Sequence, residues 1–229
     1  MTTSTFPTER TVHDGARFYS RLLLAIYDVL IMGLFTPYVW RCKPRHYLEL
    51  YKKYMSRNHA DVGVGTGYVL DKCHYQPGQV RIGLFDLQEN CLDYTAKRLE
   101  RFKPEVYQRN ALEPIHIKAK GFDSIALGGI LHCIPGDLND KGKVFASLQP
   151  IMRRSSRVFG YTILNKGVKK TRLSRSVFYL CQKLKVINGI NDCASDLNSQ
   201  LKKHFQQHDL KVIGCVAIFS AKYPRALNN

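Results

Sequence analysis

A chain of 229 residues can bury one substantial core, and a hydrophobic content of 45% with 16 Gly and 9 Pro excludes collagen-like and low-complexity classes. Its 35 Lys+Arg against 18 Asp+Glu leave a net charge of +17, a field that favours anionic partners. Seven cysteines, an odd number with no C-x-x-C pair, exclude a disulfide scaffold and a zinc-ligand pattern, so reduced thiols, a cytoplasmic setting and no metal site are expected.

The first ten residues, rich in Thr and Ser, read as a disordered tail. From Arg21 to Trp40 the chain is nearly apolar, broken by Asp28, Thr36 and Pro37. That run reaches the ~20 residues of a membrane span only if the interruptions are counted. No small-residue cleavage site closes it, which argues against a secretory signal. Three roles stay open: a cap or lid over the following domain, attachment to a membrane surface, or a span. The division expected is a tail and helical cap over 1–43 and a globular domain over 44–229.

Asn58 to Val62 has a short strand pattern, Asp61-Val62-Gly63-Val64-Gly65-Thr66-Gly67 follows, and Tyr68 to Asp71 opens a helix. Strand, glycine turn and helix together form a nucleotide-type cradle, because glycine lets a ligand lie against bare backbone. The dinucleotide fingerprint G-x-G-x-x-G would need Gly at position 68, where Tyr68 stands. A second strand, Val80 to Phe85, ends on Asp86, about 20 residues beyond the turn, where a carboxylate can accept from both ribose hydroxyls. Leu92, Thr95, Leu99 and Phe102 then recur at helical spacing, and Glu105 to Tyr107 makes a third burst that runs into Asn110-Ala111-Leu112.

Phe122 to Leu127 is a fourth strand followed by Gly128-Gly129-Ile130-Leu131-His132-Cys133. A helix over about 137–152 and a fifth strand, Val158 to Leu164, continue the succession, and two apolar bursts, Leu210 to Ile213 and Val216 to Ala221, close it. Alternating strands and helices predict a parallel sheet covered on both faces. Between Lys141 and Asn191 there are twelve basic residues and no Asp or Glu. Lys169, Lys170 and Arg172 in that stretch are read as drawing an anion to the carboxyl ends of the strands. Tyr179 and Lys183 fit a Y-x-x-x-K pattern, but without the matching glycines they read as one face of a helix.

The D-x-G-x-G-x-G turn, Asp86 after the second strand and the FD-(apolar)-LH segment around Phe122 to His132 resemble the class I S-adenosylmethionine-dependent methyltransferases over about residues 44–223. The resemblance implies a Rossmann-like methyltransferase fold: a mostly parallel seven-stranded α/β sheet with a C-terminal antiparallel hairpin and an N-terminal helical cap. It implies S-adenosylmethionine as cofactor, held by Asp61, Gly63, Gly65, Gly67, Asp86 with Leu87, Asn110 with Ala111, and Gly128. Asn110 stands where the family carries an acidic residue. Gly128, Gly129 and His132 would border the acceptor.

An activated methyl donor needs mainly alignment and exclusion of water. His132 is the candidate base for a protonated acceptor, and Tyr161 and Tyr27 are candidates for positioning it. The expected reaction is O-, N- or S-methylation of a small, partly apolar acceptor, with two cases open: an anion that needs no base, or a protonated group that does. Its alternatives are a non-methylating S-adenosylmethionine-binding protein or cyclase, or a nucleic-acid or lipid methyltransferase. The N-P-P-Y type motif of base-modifying enzymes is missing after the fourth strand, which counts against nucleic acid.

Overall fold

The computed structural model describes residues 28–73, 75–76 and 78–225. Seven strands, β1 (Asn58–Val62), β2 (Arg81–Asp86), β3 (Glu105–Gln108), β4 (Phe122–Gly128), β5 (Met152–Ile163), β6 (Phe205–Ile213) and β7 (Val216–Pro224), form one sheet in the order β3-β2-β1-β4-β5-β7-β6. Pairing is parallel from β3 through β5 and antiparallel at β5–β7 and β6–β7. The strand order reverses between β1 and β4, the place where an open α/β sheet leaves a crevice beyond its carboxyl ends.

Helices cover both faces. On one lie α1 (Val29–Val39, a π-type helix), α2 (Pro44–Tyr54), α3 (Tyr68–Asp71), α4 (Glu89–Arg98) and α7 (Arg172–Lys183); on the other lie α5 (Leu138–Lys141), α6 (Lys143–Ser147) and α8 (Ala194–His204). Each helix buries the stripe its spacing dictates. Pro44 at the first turn and Tyr47, Leu50 and Tyr51 on one face make α2, while Leu197, Leu201 and His204 make α8. Thr171 caps α7, its Oγ1 accepting from Ser174 N at 3.1 Å. The two faces of the central strands fill separate apolar layers, one around Leu84, Ala126 and Phe159, the other around Phe85, Ile125 and Val158.

Several boundaries differ from the sequence reading. The helix expected over 137–152 is broken into α5, α6 and a 3-10 turn, Gln149–Ile151. Gly142 sits at the break, where a Cβ would meet the Gln200 side chain, and Pro150 lies in the last turn. The fifth strand begins at Met152 rather than Val158, because the polar run Arg153 to Ser156 forms a bulge against Phe122. Ser156 pins that bulge, accepting from Arg153 N and donating to Phe122 O, each at 2.6 Å. Both hairpin strands are longer than their apolar bursts, and α8 runs directly into β6.

The apolar run before the globular domain contains α1, whose described part begins at Asp28; Tyr27 and the rest of the N-terminal stretch lie outside the described residues. Asp28 does not merely interrupt the run. Its carboxylate accepts from Thr66 Oγ1 at 2.5 Å and from Arg98 at 2.6 Å, while Arg98 also donates to Thr66 O at 2.7 Å. The apolar helix is thereby pinned to the glycine turn. Lys141, counted with the basic stretch, is fully buried and donates to Asp192 at 2.6 Å, so it contributes nothing to the surface field. No helix among the described residues is long and apolar enough to cross a membrane.

Candidate active site

The crevice is a cavity of about 290 Å³ at the carboxyl ends of β1, β2 and β4, roofed by α1 and the end of α7. Its floor is the glycine turn. Gly63, Gly65 and Gly67 all have positive φ, of 77°, 52° and 66°. A Cβ on Gly63 would strike Ile130 at 2.6 Å and one on Gly67 would strike Thr95 at 2.5 Å, so these two let the turn pack. A Cβ on Gly65 would meet nothing within 4 Å, although Gly65 lines the cavity. The bare backbone at Gly65 therefore faces space a ligand can fill.

Two carboxylates stand beside that turn. Asp86, at the end of β2, accepts from Gln88 N at 2.9 Å and from Gly65 N at 3.4 Å, and burial raises its pKa. Asp61, at the end of β1, is 4% exposed and accepts from Tyr51 Oη at 3.1 Å. Burial first, and then the neighbouring Asp86, push the Asp61 carboxyl up to about 7 against the pull of the Tyr51 hydroxyl. Leu87, Asn110, Ala111 and Gly128 also line the cavity. The Asn110 side chain is engaged within its own loop, accepting from Leu112 N at 3.0 Å and donating to Glu113 at 2.9 Å, so both of its polar ends already have partners.

Beyond β4 the cavity becomes apolar and aromatic. Tyr161 packs tilted against Tyr47, with ring centroids 4.2 Å apart and an interplanar angle of 36°. A Cβ built on Gly129 would lie 3.3 Å from Tyr161 and 3.4 Å from His132, so the bare Gly129 allows both side chains to approach the same point. His132 accepts from Ile163 N at 3.4 Å through Nδ1, and its own carbonyl accepts from Asn188 N at 2.9 Å. Burial, and after it the Lys141 ammonium, lower the His132 imidazole from 6.5 to about 3. Burial thus disfavours the protonated form that the ring would take on as a general base.

Of the expected cations, Lys169, Lys170 and Arg172 do not line the cavity. Lys170 is turned to Asn165, donating to its carbonyl at 2.7 Å and its side-chain oxygen at 2.5 Å. The cations that do line it are Arg109 and Lys185. Lys185, just past the end of α7, holds a left-handed φ of 54°, a position where glycine usually stands. Sequence reasoning missed Lys185, since only the return of the chain after α7 brings it to the cavity. Met32, Phe35 and Trp40 were visible only as members of an apolar run. Among the described residues no cluster of His, Cys, Asp or Glu could hold a metal ion.

No family model matches the chain. Demethylluteothin O-methyltransferase of Streptomyces thioluteus is 32% identical over 213 residues, covering 93% of each chain. Methyltransferase verB of Penicillium polonicum is 33% identical over 227 residues, covering 93% of this chain and all of the relative. Among solved structures, the N-methyltransferase NodS from Bradyrhizobium japonicum in complex with S-adenosyl-L-homocysteine superposes with a TM-score of 0.59 at 11% identity over 95% of this chain and 100% of that one. The glycine cradle open at Gly65 and the Asp86 carboxylate beside it fit an adenosyl group, and relatives and fold agree. The chain belongs to the S-adenosylmethionine-dependent methyltransferases and methylates with that cofactor.

Proposed function

We propose that the protein O-methylates a small, largely apolar acceptor whose reacting oxygen is already anionic at neutral pH. The observation that carries this reading is the wall of Met32, Phe35, Trp40 and Tyr47 around the point where Tyr161 and His132 converge at Gly129, a setting whose burial disfavours a protonated imidazole. A site without an effective base suits an oxygen acid that ionises unaided, such as an enol or an acidic phenol. The Streptomyces relative is named for O-methyl transfer, which supports oxygen as the acceptor atom.

The bound cofactor supplies a methyl group activated by its sulfonium. In this reading Asp61, Gly63, Gly65, Gly67, Asp86, Leu87, the Asn110–Ala111 backbone and Gly128 hold it. Tyr161 and His132 position the acceptor, α1 serves as the cap of residues 1–43 over the domain of 44–229, and Lys185 gives the anionic oxygen a counter-charge. Excluding water beneath α1 strengthens that charge pairing. Seven free thiols suit a reducing cytoplasm.

Incubation with methyl-labelled cofactor and matched acceptors, one an acidic enol and one the corresponding alkyl alcohol, tests the proposal. Label should enter the enol, and the pH profile should show no inflection near the ordinary histidine value. Preference for the alcohol, or an inflection near 6.5 that His132→Gln removes, would refute it.

A further inference from the structure

Twelve large hydrophobic side chains are exposed among the described residues; seven of them lie on α1 and α7, and an eighth, Leu184, caps the end of α7. On α7, Leu173, Leu180 and Leu184 recur at i, i+7 and i+11 and are 53%, 55% and 42% exposed, while Ser174 and Phe178 face the core. Beside that stripe stand Arg172, Arg175 and Lys183, all exposed. On α1, Val29, Leu34 and Tyr38 are 75%, 49% and 65% exposed. The two helices join where Ser174 Oγ donates to Val39 O at 2.6 Å and Trp40 meets Phe178 edge-on at 4.8 Å, so Tyr38 and Leu173 flank the same junction. The inner sides of both helices line the cavity, through Met32 and Phe35 on α1 and Cys181 at the end of α7.

From this placement we infer that the α1–α7 roof is an interfacial surface that rests on an anionic lipid bilayer and opens the cavity toward it. Single exposed apolar residues need no explanation, but eight on two joined helices and the cap of the second form a patch of the kind that marks an interaction site. Charge selects the partner. No acidic residue lies between 142 and 191, and among the described residues α1 carries no carboxylate beyond Asp28 at its start, which is bound to Arg98 and Thr66. A second copy of the chain would therefore bring basic flanks against basic flanks. Anionic headgroups complement Arg172, Arg175 and Lys183, while the leucine and tyrosine side chains enter the acyl boundary, the arrangement of a helix lying in the membrane plane. An apolar acceptor could then pass from the bilayer to the cavity without crossing water.

The inference does not rest on methyl transfer, and its test is a binding measurement. The full chain is sedimented with vesicles of equal parts phosphatidylcholine and phosphatidylglycerol, and with phosphatidylcholine alone. Binding should favour the anionic vesicles and fall with added salt. It should drop at least ~10-fold in Leu180→Glu/Leu184→Glu and in Arg175→Glu/Lys183→Glu, since each basic residue near such a surface contributes measurably. Unchanged calorimetric affinity for S-adenosylhomocysteine in both variants shows that fold and cofactor site are intact. Absence of vesicle binding, equal binding to both vesicle types, or a light-scattering dimer that Leu180→Glu/Leu184→Glu dissociates would overturn the assignment. Failure of the native protein to bind S-adenosylhomocysteine would instead strike the cofactor site and leave the lipid surface standing or falling on its own result.

Discussion

Replacing Asp61 by Asn should stabilise the ligand-free protein and weaken its hold on the cofactor, with both effects growing as pH rises. The carboxyl sits at the end of β1 beside Asp86, 4% exposed, and burial raises its pKa from 3.8 to about 7. A group that holds its proton more tightly when folded contributes stability that is complete below 3.8 and lost as pH rises through about 7. At 1.36 kcal/mol per pKa unit, ionising Asp61 inside the fold at pH 8 costs up to about 4 kcal/mol relative to the unfolded chain. Asn has the same shape, can still accept from Tyr51, and never ionises. Urea unfolding of the ligand-free proteins should thus give a stability difference near zero at pH 4 that climbs to roughly 2–4 kcal/mol at pH 8, the lower figure allowing for relaxation around the amide.

Calorimetry should show the reverse for S-adenosylmethionine, whose sulfonium and ammonium charges favour an ionised neighbour. Affinity of the native protein should rise through pH 7, and the variant should bind about 10-fold or more weakly with no such rise. A stability difference that does not change with pH, or a variant less stable than the native protein at pH 8, would refute the reasoning.

Asp86→Ala should lose roughly 1–3 kcal/mol of cofactor affinity by calorimetry, the range for a hydrogen bond to a charged group, and Gly65→Val should abolish binding by filling the open side of the turn. Asp28→Ala leaves Arg98 and Thr66 without their anchor, so α1 should loosen; the acceptor KM should rise about 10-fold while affinity for S-adenosylhomocysteine changes less than about threefold, since positioning by a cap acts on the acceptor. Lys185→Gly relieves a left-handed backbone and should raise the unfolding free energy by up to about 1 kcal/mol, yet it should increase KM for an acidic acceptor; loss of stability with unchanged KM would count against its role.

The sequence by itself determined the parts of this protein that are local. Three glycines at alternate positions behind Asp61 permit positive φ and leave a bare backbone whatever surrounds them, so the cradle was legible before any contact was known. Alternating apolar bursts likewise specified seven strands, because each must bury its side chains against the sheet's covering helices. Boundaries were less legible where polar residues serve the fold, as at the Arg153 to Ser156 bulge, whose serine is satisfied only by the Phe122 carbonyl of a neighbouring strand. Tertiary structure alone decided which charges matter. Asp28 became a pin through Arg98, 70 positions away, and Lys141 left the surface field for Asp192. Burial lowers the His132 imidazole, and Lys185 rather than Lys169, Lys170 or Arg172 came to line the cavity. Pairing and desolvation depend on which distant residues the fold brings within a few ångströms, and one chain read in order carries no direct record of that distance.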